Sequence, residues 1–193
     1  MSDYLPVLVS GPSSPLLTMA ELRDHLRLDV DADDPLASSL LIAATDWFER
    51  ATDRSLSAKT WRLDLPSFCG SRIELPYPPL VSVTHVKAYD AANVLQTVNA
   101  SNYEVVTNTV PGAVQLTTTG QWPATYVRND AVQVTYVAGY ATPAAVPQLC
   151  KQGVLMLVGA WHENREATTA AELSEVPFGV QAIVQSVRSY RFH

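Results

Sequence analysis

The stretch FERATDRSLSAKTWRLDLP, Phe48 to Pro66, holds the change of period that decides the fold. On its N-terminal side Leu36, Leu40, Leu41, Ala44, Trp47, Phe48 and Ala51 recur at helical spacing. They lay one broad apolar face along a helix ending near Thr52. Asp34 followed by Pro35 reads as the N-cap and first residue of that helix. A carboxylate accepts from the free amides of a first turn, and proline lacks only an N–H that would have no partner there. On the C-terminal side the texture changes at Ser57, and TWRLDLP alternates apolar and polar residues, the period of a half-buried strand.

Outward from this stretch, segments of β character continue to Tyr140, punctuated by Pro, Gly and Asn. RIELPYPPL, VSVTHVKAYD, NVLQTV, YEVV, AVQLTT and AVQVTYV bring the expected set to roughly six or seven strands. GYATPAAVPQ returns the chain to helix, with Pro147 tolerable in a first turn. The helix expected from Pro147 to Asn164 is apolar on nearly every side between Val154 and Trp161, which places it at the centre of a helical layer. Upstream, LTMAELRDHLRLD carries a capping box, Thr18 with Glu21 three residues on, and an apolar face of Met19, Leu22 and Leu26. The chain closes with FGVQAIVQSVRSYRFH, a short helix or an extended arm.

The expected fold class is α+β: a small helical bundle of three long helices plus a C-terminal helix or arm, with a β-rich insertion between the second and third helices. The expected layout is an N-terminal arm over 1–16 and a helical core over 17–58 and 143–167. A β-rich insertion covers 59–142, and a linker with a C-terminal segment covers 168–193.

Composition narrows the function. The 193 residues are 47% hydrophobic and 17% charged, the profile of a folded globular chain with surface to spare for other subunits. A formal charge of -6 argues against a basic surface that grips nucleic-acid phosphates. It leaves open a channel that DNA traverses without sticking. The longest apolar run, GVLMLVGAW, is well short of the roughly 20 residues a membrane helix needs. MSDYLPVLVSGPSSP lacks the basic and apolar regions of a secretory signal, and Cys69 and Cys150 read as reduced thiols.

Three motifs invite a chemical reading. AWHENRE, Ala160 to Glu166, begins like the zinc-hydrolase pattern H-E-x-x-H, with Glu166 where the second histidine belongs. A third ligand would have to come from His25, His85 or His193, none at a recognisable spacing. The plainer reading is a buried helix surfacing after Trp161, with His162, Glu163, Arg165 and Glu166 meeting solvent or a neighbouring subunit. DVDADDPL places Asp29, Asp31 and Asp33 as a calcium loop would, but the required Gly is Asp34 and the closing Glu is Leu40. Trp122 and Tyr126, read as exposed, are all that supports a glycan- or ligand-binding module. No nucleophile elbow, phosphate loop or dinucleotide fingerprint appears, so neither an enzyme nor a cofactor is expected. The tail remains: Arg188, Tyr190, Arg191 and Phe192 crowd the end of an acidic chain, and Arg and aromatic residues are enriched at interface hot spots.

In order, LTMAELRDHLRLD, DDPLASSLLIAATDWFERATDRSL, IELPYPPLVSVTHVKAYD, YEVV, WPA, VQVTYVAGY, LMLVGAWHENRE and VPFGVQAIVQSVRSYRF resemble the head–tail connector (adaptor) proteins of long-tailed phages and phage-like gene transfer agents. The resemblance runs from about Leu17 to the C-terminus. It implies a non-catalytic ring, generally of twelve copies, assembled in the host cytoplasm and then held in the particle neck. The portal protein would lie above it and the next neck, stopper or tail protein below. DNA would pass through the lumen without sequence-specific binding. The C-terminal segment becomes the portal-docking element, with Phe178, Val184, Val187, Arg188, Tyr190, Arg191 and Phe192 as the contacts, and His162, Glu163, Arg165 and Glu166 as subunit contacts. The alternatives are another neck ring, a stopper or tail terminator, and from a different class a metal hydrolase using His162 and Glu163.

Overall fold

The Thr18 capping box forms as its sequence requires. The Glu21 amide donates to Thr18 Oγ1 over 3.2 Å, while the Thr18 amide and hydroxyl reach Glu21 Oε2 at 2.7 and 2.8 Å. It opens α1, Met19–Leu26, only eight residues long, which Arg27 closes in the left-handed conformation. The structure is a computed structural model that describes residues 4–12, 14–28, 34–163 and 176–189. Asp29, Asp31 and Asp33 lie outside the described residues.

Helix α2, Asp34–Thr52, buries Ala37, Leu41, Ala44, Phe48 and Thr52, the stripe its spacing dictates. Asp34 stands inside the helix by one residue, and its carboxylate pairs with the Arg23 guanidinium, tying α2 to α1. Helix α3, Gln148–Glu163, packs against α1, α2 and α4, so the helix read as apolar on nearly every side does sit at the centre of the layer. Its burial is one-sided, however: Cys150, Gly153, Val154, Leu157 and Val158 are buried, whereas Leu155, Met156 and Trp161 are only half-buried. Helix α4, Phe178–Val187, seats Val180 and Val184 in the same core.

Of the eight strands among the described residues, seven are those expected: β2 Lys59–Leu65, β3 Arg72–Leu75, β4 Leu80–Tyr89, β5 Leu95–Thr97, β6 Tyr103–Val106, β7 Gly112–Leu116 and β8 Val132–Ala138. They form two antiparallel sheets. The larger also recruits β1, Val7–Ser10, giving the order β1-β2-β8-β4-β5; the smaller is β3-β7-β6. The sheets share a core of Leu63, Leu65, Ile73, Val86, Val114, Val134 and Tyr136, separate from the helical core around Phe48, Val154 and Leu157. The described chain is therefore α+β with four helices and two antiparallel sheets. That differs from the expected bundle of three long helices with a β insertion in two respects: α1 is short, and a strand from the segment read as an arm belongs to the sheet; the C-terminal segment takes the helical of its two expected forms.

The two cores meet where the opening stretch changes period. Glu49, on the last turns of α2, is buried; it accepts the Leu56 amide at 2.7 Å and pairs with the Lys59 ammonium at the start of β2. Across the same joint the Ala58 amide donates to Tyr140 O and the Gly139 amide to Pro79 O. Gly139 has φ +115, and a Cβ there would fall 2.1 Å from Ser57 O, so only glycine lets β8 pass this close to the start of β2.

Candidate assembly surfaces

Helix α4 runs back over its own domain. Beyond the burial of Val180 and Val184, three polar contacts hold its C-terminal end to the end of α2. Arg54 Nε donates to Val187 O at 2.5 Å, the Ser189 amide donates to Thr52 O at 2.8 Å, and Arg188 lies 3.7 Å from the Asp53 carboxylate. Ser189 is itself buried. Of the residues expected at a portal, Val184 is thus part of the helical core and Val187 packs half-buried against it. A direct contact through Val184 would require α4 to lift away. Phe178 is different: it opens α4 and is 86% exposed. Arg188 keeps part of its guanidinium open to solvent. Tyr190, Arg191 and Phe192 lie outside the described residues.

At the far end of α3, Glu163 is exposed and His162 half-buried, while Arg165 and Glu166 lie outside the described residues. Among the described residues no group of three His, Cys, Asp or Glu side chains could hold a metal ion. Helix α1 brings His25 beside α3, its Nε2 3.5 Å from where a Cβ on Gly159 would stand. Burial and the nearby Lys87 ammonium push the His85 pKa below its ordinary value, out on β4.

Trp122 is no open platform. It stacks on Phe68 with ring centroids 4.4 Å apart, and its indole N–H donates to Gly70 O at 2.9 Å, pinning the loop between β7 and β8 to the β2–β3 connection. Tyr126 is exposed, but its amide donates to Tyr89 O and fixes the backbone at the end of β4.

What sequence reasoning missed is the apolar surface of the N-terminal segment. Leu5, Val7, Leu8 and Val9 are exposed on and before β1, beside a groove of about 520 Å³ between Pro12–Leu17 and the outer face of α2. Ile42 lines the groove and is 70% exposed. The available signal was a run of β-branched and aliphatic residues without a charge from Tyr4 to Gly11. No helix among the described residues is long and apolar enough to cross a membrane.

No protein-family model matches the chain, and no curated protein matches it. Solved structures do. A chain from the neck of an empty gene transfer agent (GTA) particle, computed with C6 symmetry, is 28% identical with a TM-score of 0.79. A chain from the virion of a native GTA particle is 29% identical at 0.80, and one from the neck of a native GTA particle, computed with C12 symmetry, is 28% identical at 0.77. Each match covers 98% of this chain and 97% of the other. The fold is thus shared with chains of GTA particles over almost their whole length.

Proposed function

We propose that this protein is a structural component of a particle neck: a head–tail adaptor whose copies form a ring beneath the portal, without catalysis. The observation that carries this reading is the near-complete mutual coverage, at 28–29% identity, with chains of GTA necks and a GTA virion. The C12 symmetry of one of those necks supports a ring of twelve copies. A helical layer with its own core supports an adaptor over a stopper or terminator, which resemble β barrels. The ring would assemble in the host cytoplasm and end in the neck, with an acidic chain, net charge -6, around a lumen that DNA crosses without sequence-specific binding. The portal face would be reached by Phe178, Arg188 and the terminal Tyr190, Arg191 and Phe192. The opposite face would receive the next neck protein.

The test is co-expression with a portal protein from the same source, followed by negative-stain microscopy and native mass spectrometry. A ring stacked coaxially on the portal is the expected result. A chain that stays monomeric with portal present, or that rings only on a tail tube, would sink the adaptor role.

A further inference from the structure

Among the described residues the five-stranded sheet ends on β1 at one edge and β5 at the other, and exposed aliphatic side chains stand at both. At one edge, β1 pairs only with β2: Leu8 lies opposite Trp61 on the side facing the sheet core, and Val7 opposite Arg62 on the outer side. Leu8 and Val7 are both exposed, so neither side of this strand is covered. Edge strands are ordinarily protected by charge, and from Tyr4 to Gly11 there is none.

The other edge is β5, four strand spacings or about 19 Å away. Val94 and Leu95 are exposed there. The segment through Tyr126 and Val127 comes to the same corner, held by the Tyr126 amide on Tyr89 O and by Arg128 donating to Asn93 Oδ1 at 3.0 Å. Val127 is 94% exposed. Of the charges flanking these edges, Arg62 is matched by Asp64 and Arg128 by Asp130, while the Asp90 carboxylate beside β5 accepts from the Val94 amide and from Gln96 Nε2.

A ring of more than two copies needs a heterologous contact, in which two different patches of one chain meet. A pair of like edges meeting about a two-fold axis would instead close a dimer. Two unlike apolar patches on opposite edges of one sheet are what a ring requires. Resting on the ring proposed above, we infer that the β1 edge of each copy seats against the β5 corner of the next copy, around Val94, Leu95, Tyr126 and Val127. Strand direction alternates across the sheet, so β1 and β5 run the same way, and a neighbour brought round by rotation about an axis along the strands lies parallel to β5. With only three residues in β5, side chains rather than a long ladder carry the contact.

Disulfide trapping in the portal-bound ring tests this. In a Cys69→Ser background, which removes the exposed native thiol, the double variant Leu8→Cys/Val127→Cys should oxidise to a ladder of covalent oligomers. A mixture of the two single variants should stop at the dimer, and Leu8→Cys alone should give none. The variant Val127→Lys, at a site exposed enough to leave folding intact, should need at least tenfold more protein to form the ring. A Leu8→Cys homodimer, an intact ring without the ladder, or Val127→Lys rings at wild-type concentration would each overturn the assignment and leave the adaptor reading standing. Absence of any wild-type ring with portal present would overturn both.

Discussion

Glu49 shows how much one side chain does at the joint between the two cores. Its carboxylate is buried, and both oxygens are used, one by the Leu56 amide and one by Lys59. Glu49→Ala should therefore destabilise the fold by about 3 kcal/mol, the scale of leaving a buried cation without its partner. Glu49→Gln, which keeps an acceptor for Leu56, should cost clearly less. Urea denaturation measures both, and an alanine variant within about 0.5 kcal/mol of wild type would refute the joint. His85 sets a pH dependence. Its folded-state pKa lies below the ordinary value of 6.5, through burial first and Lys87 second. Between those two pKa values the unfolded chain binds more protons, so stability present above pH 6.5 is lost as pH falls toward the folded value. The carboxylates held low, Asp34 by Arg23 and Asp130 by Arg128, release stability only as pH drops past their ordinary 3.8. The slope just below pH 6.5 should thus flatten in His85→Gln, followed by thermal melts across a pH series; an unchanged slope would remove His85 as its source.

At the scale of elements, what could be read from sequence was what is local. The capping box, the apolar stripe of α2 and seven strands follow from spacing and punctuation. Sheet membership does not: β2, the first strand of the insertion, pairs with β8, its last, and no local pattern encodes that choice. Strand β1 escaped because both its faces are open, and an edge exposed on both sides leaves no alternation to detect. Helix α3 looked buried all round from Val154 to Trp161 because the flank left half-buried there is apolar as well, with Leu155, Met156 and Trp161. Phe178 and Val184 share α4, yet one faces outward and the other inward, which became legible only once α4 was seated. Seating depends on glycine at the crossing of α2 and α3. A Cβ on Gly153 would stand 2.5 Å from Phe48 Cε2, within a ring that is fully buried, and 3.2 Å from Ile183 of α4. Gly153→Ala gains about 1 kcal/mol of helix propensity. The overpacking it forces costs about 1–3 kcal/mol. The net effect should be a loss of stability and a loosened α4, seen as faster amide exchange across 178–187. A stabilised variant would mean that the helices separate more easily than their packing implies.

For the whole molecule, the decisive question is which part of the C-terminal segment serves the fold and which is free for a partner. Removing everything from Phe178 onward would confuse the two, because it strips Val180 and Val184 from the helical core and exposes the face of α3 they cover. The chain itself marks a better boundary: Ser189 is buried and its amide is bound to Thr52 O, so it is the last described residue that the domain holds. Ending the chain after Ser189 removes Tyr190–His193 and leaves Arg54, Arg188 and α4 with every contact described above. The truncated protein should melt within a few degrees of wild type, since every contact described for α4 and Ser189 is kept. Under the adaptor reading it should nevertheless lose at least tenfold in affinity for the portal, because Tyr190, Arg191 and Phe192 are the residue types that anchor interfaces. A Phe178→Ala variant, altering a side chain 86% exposed, separates the other candidate contact at equally small cost to the fold. Pull-down titrations against the portal, beside melting curves, read both effects. If the truncation binds as wild type while Phe178→Ala does not, the portal is met by the start of α4. If neither loses affinity, the C-terminal segment is structural, and the portal must be met by another face of the ring.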